Sequence, residues 1–241
     1  MAQWEGEFWV EPDKGADKEA GQEDDAEFDE FEEEFDEVGT IADPLEPFNR
    51  AVFIFNDKLY FWLLKPVARG YAFVVPEPGR VAINRFFSNL YTPIRLVNSV
   101  LQFKFKYAGT ELARLGINST IGVLGFMDPA RDRYGIYLHK EDFGQTLGRY
   151  GAGPGFFLNL PLFGPSSARD GIGMAGDFFM NPLTYIFYNE ATAGLAVSAS
   201  DRVNNTSINI GVYEDLKRDA LDPYTFIRDA YHQHREDLVK E

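Results

Sequence analysis

The stretch DPLEPFNRAVFIFNDKLYFWLLKP, residues 43–66, decides the fold of this chain. Asp43 and Pro44 are typical of a helix start, and Pro66 predicts that the helix ends near Lys65. On a helical projection, the strongly charged side chains fall within an arc of about 100°, and apolar side chains cover most of the remaining circumference. A surface helix of a soluble protein has the reverse pattern, with an apolar stripe only a little wider than about 100°.

The length of this predicted helix argues against a transmembrane span. From Asn49 it covers about sixteen residues, or about 24 Å, whereas the hydrocarbon core of a bilayer is about 30 Å thick. A charge in mid-bilayer costs about 2.5–3.5 kcal/mol, so the charged stripe should face a wet surface and the apolar sides should face lipid or protein. A central helix of a soluble core fits the segment equally well. The side chains expected to face a membrane are Phe53, Phe55, Trp62 and Leu63.

The charge of the chain is concentrated at one end. The 241 residues include 38 acidic and 23 basic side chains; residues 1–40 hold 17 acidic and 2 basic ones, so residues 41–241 hold 21 of each. A neutral body argues against nucleic acid as a partner, because phosphate binding needs clustered positive charge. We interpret residues 1–40 as a disordered acidic tail and residues 41–238 as the folded domain. Phe28, Phe31 and Phe35 have helical spacing, so the alternative is a tail that folds on a basic, apolar partner.

Two absences from the sequence limit the possible functions and locations. The chain has no cysteine, which excludes disulfides, thiolate metal sites and a cysteine nucleophile. The first thirty residues are acidic and contain no apolar segment typical of a signal peptide. We therefore expect either a cytoplasmic protein or a protein whose targeting segment has been removed.

Further helices are predicted at residues 80–90, 93–103 and 109–124. Each has one narrow polar line on an otherwise apolar surface. Such helices could enclose a polar-lined passage within an apolar shell, or they could form a soluble bundle with the polar faces outward, and the pattern favours neither. The candidates for lining a passage are Asn49, Asn56, Arg95, Asn98, Gln102, Arg114 and Asn118.

Residues 144–176 are rich in glycine and proline and cannot form one regular element. We predict a loop with an apolar wedge, followed by a helix that begins near Ser166 or Ser167. Because glycine tolerates positive φ, residues 144–164 are a candidate gate. Its hinge and wedge residues are Gly151, Gly153, Gly155, Phe156 and Phe157.

No motif argues for an enzyme, a cofactor or a metal site. The glycines of residues 171–176 match the dinucleotide-binding pattern G-x-G-x-x-G, but no predicted strand precedes them, so we expect close helix packing instead. A hydrolase that uses Ser166 or Ser167 would also need a preceding strand. His232 and His234 are two residues apart and cannot share a metal ion on one helix face.

Several stretches, taken in order, resemble the MlaA/VacJ family of bacterial outer-membrane lipoproteins, over about residues 41–235. They are DPLEPFNRAVFIFN (43–56), RFFSNL (85–90), INSTIGVLGFMDPA (117–130), the glycine-rich stretch within 142–170, and DPYTFIRDAYHQHR (222–235). The resemblance implies an all-α ring of short amphipathic helices around a central amphipathic pore. The ring would lie in the inner, periplasmic leaflet of the outer membrane.

The resemblance also implies a function and partners. Outer-leaflet phospholipids would pass through the pore to a soluble periplasmic carrier, MlaC, in retrograde transport that maintains outer-membrane lipid asymmetry. Trimeric porins would accompany the ring, and the resemblance implies no catalytic residue and no cofactor. The alternative is a structural envelope scaffold that binds porins and lipid without moving lipid.

The chain departs from the family pattern in two respects. Family members have a lipidated cysteine near the mature N terminus, and this sequence has none. We expect that a signal segment and this cysteine have been removed; otherwise anchoring depends on the helices alone. The acidic tail is not part of the family pattern, so the resemblance assigns it no role.

Overall fold

A computed structural model describes residues 40–241, and helices dominate this part of the chain; the predicted acidic tail, residues 1–40, lies almost wholly outside it. The expectation of an all-α fold is confirmed. The first half contains α1 (Glu46–Leu59), a π-helical turn (Tyr60–Leu64), α2 (Lys65–Val74), α3 (Glu77–Leu90), α4 (Thr92–Leu101) and α5 (Phe105–Thr120). The second half contains α6 (Pro129–Tyr134), α7 (Phe143–Arg149), β1 (Phe157–Leu160), β2 (Gly164–Ser167), α8 (Ala168–Met180), α9 (Pro182–Ile186), α10 (Ala191–Ile208), α11 (Val212–Asp219) and α12 (Pro223–Lys240).

The prediction that the first helix ends at Pro66 is wrong, because the helix continues to Val74. Immediately before the proline, the backbone forms a π-helical turn in which Lys65 N–H donates to the carbonyl oxygen of Tyr60. A π-helical turn shifts the hydrogen-bond register by one residue. Pro66 therefore lies in the first turn of α2, where its missing N–H is tolerated.

Within the described residues, no single helix has both the length and the apolar character that a membrane crossing needs. The distribution of side chains is nevertheless unlike that of a soluble protein. Among the described residues, nine hydrophobic side chains other than proline are buried, against nineteen polar or charged ones. Large apolar side chains lie on the surface instead: Phe73 is 93% exposed and Trp62 is 77% exposed. The described domain is therefore polar inside and apolar outside to an unusual degree.

A small aromatic core forms where the two ends of the described domain meet. Ile41, Phe157 and Tyr224 are buried together, and Phe53 packs edge-on against Tyr224 with ring centroids 5.8 Å apart. Strands β1 and β2 form an antiparallel hairpin, and Phe157 N–H also donates to Ala42 O at 2.8 Å. The hairpin therefore holds the start of the chain's folded part against α12.

The helix α8 begins at its predicted position, since the Ser167 hydroxyl caps it by accepting from Asp170 N–H. Its glycines allow close packing, as the sequence predicted. A Cβ on Gly173 would lie 2.4 Å from the backbone nitrogen of Gly144 in α7, and a Cβ on Gly176 would lie 2.4 Å from the Phe143 ring. The backbones of α7 and α8 can therefore approach closely only because these positions lack side chains.

The guanidinium of Arg235 joins α12 to α7 and α8. It donates to Asp142 at 2.6 and 2.9 Å and to both oxygens of Asp170 at 2.9 Å. Burial alone would raise the pKa of Asp170, but the hydrogen bonds from Arg235, Arg169 and Tyr231 outweigh it and lower the pKa to about 2. This cluster, which we call the Arg235 clamp, fixes the C-terminal helix on the rest of the domain.

Candidate polar passage

The polar lines of α4 and α5 face each other across the helix interface. Arg95 Nε donates to Glu111 Oε2 at 2.7 Å, and Glu111 is completely buried. The Arg95 guanidinium also donates to Thr92 Oγ1 and to the carbonyl oxygen of Ser88, each at 2.9 Å. A buried charge needs a partner and satisfied hydrogen bonds, and here both are present. The polar faces of α4 and α5 therefore point inward, and the alternative in which they point outward is wrong for these two helices.

The second half of the α4 line binds the neighbouring helices. Asn98 accepts from the Thr146 hydroxyl of α7 at 2.8 Å and donates to Asp177 of α8 at 3.0 Å. Gln102 donates to the same Thr146 hydroxyl at 3.2 Å. Burial and the nearby Asp142 carboxylate raise the pKa of Asp177 to about 6. Asn98 and Gln102 therefore connect helices in the interior, and neither lines the cavities described below.

The α5 line positions the connection that follows it. Arg114 Nη2 and Asn118 Nδ2 donate to the two oxygens of Asp128 at 2.8 and 2.9 Å. Arg114 also donates to the carbonyl oxygen of Ile136, and Asn118 accepts from Ala130 N–H at 3.1 Å. Burial alone would raise the pKa of Asp128, but the hydrogen bonds from Arg114 and Asn118 lower it. These bonds hold residues 121–136 over one end of α5.

Asn49 and Asn56 have a structural role that the sequence did not predict. Asn49 is completely buried, donates to Phe157 O at 3.1 Å and accepts from Asn159 N–H at 2.8 Å. Asn56 donates to Leu160 O at 3.0 Å and accepts from the N–H of Leu162 at 2.8 Å. An amide side chain satisfies a donor and an acceptor of one strand at once. Both residues therefore fix the hairpin on α1, and neither lines the cavities described below.

Two adjoining cavities lie beside the Arg95–Glu111 pair. The first, the arginine cavity, has a volume of about 370 Å³ and is lined by Asn84, Arg85, Ser88, Asn89, Thr92, Arg95, Arg114, Asn118, Asp128, Arg131, Tyr137 and Leu138. The second, the carboxylate cavity, has a volume of about 340 Å³ and is lined by Asn84, Phe87, Ser88, Tyr91, Arg95, Leu138, Lys140, Glu141, Asp142, Asp201 and Asn205. They share Asn84, Ser88, Arg95 and Leu138, so the two together form one polar region.

Of the seven residues predicted to line a passage, three lie on the arginine cavity: Arg95, Arg114 and Asn118. Sequence reasoning missed the other polar residues of the two cavities. Asn84 and Ser88 of α3, and Asp201 and Asn205 of α10, are each four residues apart, a helical spacing that identifies one face. Residues 131–142 have no such period, because most of them lie outside helices.

The predicted gate segment is more ordered than a loop. Residues 143–149 form α7 and residues 157–160 form β1. Phe157 is 1% exposed, belongs to the aromatic core and lies in β1 and not in a loop as predicted, and its part in a gate stays a prediction. Gly151 and Gly155 have φ values of 90° and 73°, which favour glycine. Gly153 and the exposed Phe156 lie in the same short connection, and a hinge role for it stays a prediction.

Three of the four side chains predicted to face a membrane are exposed: Trp62, Leu63 and Phe55. Phe53 is half-buried against the aromatic core, because α1 turns this side toward Tyr224. Within the described residues, no group of three or more His, Asp or Glu side chains is arranged to hold a metal ion.

These features define a class of protein: an all-α domain with ion pairs and polar cavities inside and large apolar side chains outside. The chain belongs to the MlaA lipoprotein family, whose model matches residues 41–238. The resemblance seen in the sequence is thus confirmed.

Relatives and a solved structure show the same likeness. The Intermembrane phospholipid transport system lipoprotein MlaA of Escherichia coli K12 is 31% identical over 201 residues, covering 82% of this chain and 78% of the relative. The protein of the same description from Haemophilus influenzae is 30% identical over 210 residues, covering 85% and 82%. An uncharacterised protein of Rickettsia conorii is 34% identical over 201 residues, covering 83% and 79%. A solved structure reported as "Structural basis for maintenance of bacterial outer membrane lipid asymmetry" matches with a TM-score of 0.68 and 30% identity, covering 82% of this chain and 99% of that chain.

Proposed function

We propose that this protein takes part in intermembrane phospholipid transport that maintains the lipid asymmetry of the bacterial outer membrane. The proposal follows from family membership and from relatives described as lipoproteins of an intermembrane phospholipid transport system. In this proposal, the helices form a ring in the periplasmic leaflet, and phospholipids leave the outer leaflet through the ring in the retrograde direction. A soluble MlaC-like carrier receives them in the periplasm, and a trimeric porin accompanies the ring.

The observation that carries this proposal is the inverted distribution of side chains around α4 and α5. Their polar lines face inward, whereas Val100, Leu112 and Phe105 on the same helices lie exposed. Lipid tails can cover such apolar side chains and remove them from water. Each large apolar side chain removed from water lowers the free energy by about 1.5–3 kcal/mol. The polar interior then offers a lipid headgroup a hydrated route that the bilayer core does not.

The mechanism requires no chemical step and no cofactor. The headgroup travels through the arginine and carboxylate cavities, whose surfaces supply hydrogen-bond donors and acceptors in place of water. The acyl chains remain against apolar side chains, because a tail out of water has a lower free energy than a tail in water. The headgroup remains in the cavities, because a charged group with hydrogen-bond partners has a lower free energy than one without them. The protein therefore acts as a passive conduit, with the connection around Gly151, Gly153 and Gly155 as a candidate gate.

The test is transfer of a labelled phospholipid from liposomes that contain the full chain to a purified periplasmic carrier. We expect transfer to be faster than from empty liposomes. Ser88→Trp should slow it, because Ser88 lines both cavities and the indole would fill much of the shared region. The matched control is Ser198→Trp, at an exposed position of α10. Transfer at the rate of empty liposomes, with porin binding intact, would instead support the envelope scaffold.

The gate is tested with a disulfide, since the chain has no cysteine of its own. A Cβ on Gly155 would lie 3.0 Å from the Cβ of Ala168, shorter than the Cβ separation of about 3.5–4.5 Å in disulfides, so the connection must shift by about 0.5 Å to form the bond. Because a side chain at the positive φ of Gly155 is strained in both redox states, the oxidised variant is compared with its own reduced form. We expect the oxidised double cysteine variant to transfer lipid more slowly than the same variant after reduction. Equal rates in the two redox states would contradict the gate while leaving the transport proposal intact.

A further inference from the structure

We propose that the two cavities form a two-point site for a phospholipid headgroup with a primary amine, as in phosphatidylethanolamine. The phosphate would bind at the arginine cavity, and the ammonium group would bind at the carboxylate cavity. This inference rests on the proposed function and specifies its substrate. It is carried by the opposite charge of the two cavities and by carboxylate oxygens to which no described residue donates a hydrogen bond.

The arginine cavity is suited to a phosphate. Four arginines and a single aspartate supply the charges on its surface. Arg95 and Arg114 are already paired with Glu111 and with that aspartate. Within the described residues, Arg131 forms no ion pair, and Arg85 approaches only an exposed aspartate at 3.8 Å. The guanidinium fork binds phosphate oxygens through two parallel hydrogen bonds, so these two side chains are the expected phosphate ligands.

The carboxylate cavity has acceptors that lack donors. Glu141 is 4% exposed; its Oε1 accepts from Lys104 at 2.8 Å, but its buried Oε2 has no partner within the described residues. Asp201 Oδ2 accepts from the Tyr91 hydroxyl at 2.9 Å, and no described residue donates to its other oxygen. Burial raises the pKa of the Asp201 carboxyl. Leaving the buried Glu141 Oε2 unsatisfied is costly, and an ammonium group with three N–H donors would relieve that cost. The second oxygen of the half-buried Asp201 would accept another of these donors.

The other charges of this cavity do not replace such a ligand. Asp142 is held by the Arg235 clamp, and the Lys140 side chain is exposed. Arg95 lies on the border between the cavities and is paired with Glu111. A single headgroup can therefore meet positive charge on one side of the shared residues and the Glu141 and Asp201 carboxylates on the other.

A site of this kind should distinguish the common phospholipid headgroups by their chemistry. Ethanolamine has an ammonium group that donates hydrogen bonds, whereas choline has the same charge but no N–H donor. The glycerol headgroup of phosphatidylglycerol has no positive charge. All three have the same phosphate, so the arginine cavity should treat them alike and the carboxylate cavity should favour ethanolamine.

The first experiment compares transfer of labelled phosphatidylethanolamine, phosphatidylcholine and phosphatidylglycerol from liposomes with the full chain. Asp201→Asn should slow phosphatidylethanolamine about tenfold, the scale of one lost hydrogen bond to a charged group, and should leave phosphatidylglycerol unchanged. The amide can still accept from Tyr91, so the fold should be preserved. The control Glu190→Gln removes an exposed carboxylate at the start of the same helix and should change nothing. Equal slowing of all three lipids would overturn the two-point site.

The phosphate half is tested with Arg131→Glu, which should slow all three lipids. Its control is Arg133→Glu, an exposed arginine of the same helix that lines neither cavity. An Arg131→Glu variant that transfers every lipid at the wild-type rate would remove the phosphate ligand from the proposal. Glu141→Gln provides a second variant at the ammonium end, with the same expected selectivity as Asp201→Asn.

Calorimetric binding separates a lipid headgroup from free phosphate. Soluble glycerophosphoethanolamine should bind the wild-type protein more tightly than inorganic phosphate, and Asp201→Asn should remove that difference. Equal binding of both compounds to the wild type would show a phosphate site alone and overturn the ammonium half. A wild type that binds glycerophosphoethanolamine but moves no lipid would contradict the proposed function and leave this inference standing. A wild type that moves all three lipids at the same rate would support the proposed function and overturn the two-point site.

Discussion

Replacing Arg235 by methionine should release the C-terminal helix and destabilise the domain. The variant removes every hydrogen bond that Arg235 donates within the Arg235 clamp and leaves the carboxylates of Asp142 and Asp170 without their main partner. Methionine keeps much of the side-chain volume, so the change is chiefly one of charge. Asp170 is buried, with its side chain 8% exposed, and cannot turn to water without local unfolding.

The magnitude can be worked from the pKa of Asp170. The Asp170 pKa falls from an ordinary value of 3.8 to about 2. At about 1.36 kcal/mol for each unit of pKa, this difference contributes about 2 kcal/mol to the free energy of unfolding. Arg169 and Tyr231 share that contribution, but Asp142, whose pKa the same guanidinium also lowers against the effect of burial, adds its own. Breaking a buried ion pair from one side costs about 3–5 kcal/mol in general, so we expect a loss of about 3 kcal/mol.

The assay is urea unfolding of the detergent-solubilised protein at pH 7, followed by circular dichroism. The control is Arg218→Met, which breaks the exposed pair with Asp215 and should cost at most about 1 kcal/mol. Because the folded-state pKa of Asp170 lies below its ordinary value, its contribution is present above about pH 4 and lost as the pH falls toward 2. The difference between wild type and Arg235→Met should therefore narrow in acid. A cost no larger than that of the control, or one that is constant from pH 7 to pH 3, would refute the electrostatic clamp.

Three further changes test other parts of the interior. Arg95→Met leaves the fully buried Glu111 unpaired and should lower the free energy of unfolding by about 3–5 kcal/mol in urea. Gly173→Ala should cost about 1–3 kcal/mol in thermal unfolding, because its Cβ would lie 2.4 Å from a backbone nitrogen of α7, whereas Gly171→Ala meets open space and should be nearly neutral. Asp177→Asn should stabilise the domain at pH 8 by about 2–3 kcal/mol and have no such effect below about pH 4. Burial and a neighbouring carboxylate raise the Asp177 pKa to about 6, so the wild-type domain loses stability as the pH rises through that value and this carboxyl ionises. Urea unfolding of both proteins at pH 8 and pH 4 would show the difference.

The sequence predicted the elements whose signals are local. The spacing of Arg95, Asn98 and Gln102 identified the polar face of α4, and the serines before α8 identified its cap. A polar face does not say which way it turns, since a lipid-facing and a water-facing bundle have the same helical period. The orientation of a polar face depends on what surrounds the helix. The Arg95–Glu111 pair shows that the polar face of α4 points into the interior.

The predictions that were wrong concern features that depend on residues far away in the sequence or on a change of backbone hydrogen bonding. Pro66 normally ends a helix, but a π-helical turn re-registers the hydrogen bonds around it, and no local residue pattern predicts that turn. Asn49 and Asn56 satisfy strand residues more than a hundred positions away, which a helical projection cannot show. Arg131 lies in the six-residue helix α6 and Glu141 in an irregular connection, so neither has neighbours at a helical spacing that mark a cavity, and only the tertiary fold brings the two cavities together.

The polar interior also explains how the helices would hold together in the membrane setting that we propose. Apolar contacts between helices gain little there, because lipid tails satisfy apolar side chains as well as another helix does. Specific association must then come from groups that lipid cannot satisfy: the Arg95–Glu111 pair between α4 and α5, the Asp128 cluster after α5 and the Arg235 clamp. Each of these is directional, so each fixes the distance and orientation of the helices that it joins. The same arrangement leaves polar space between the helices wherever the pairs do not fill it, as at the arginine and carboxylate cavities. Placing charge inside an apolar shell therefore stabilises the domain, and it also supplies the polar space that the proposed headgroup route requires.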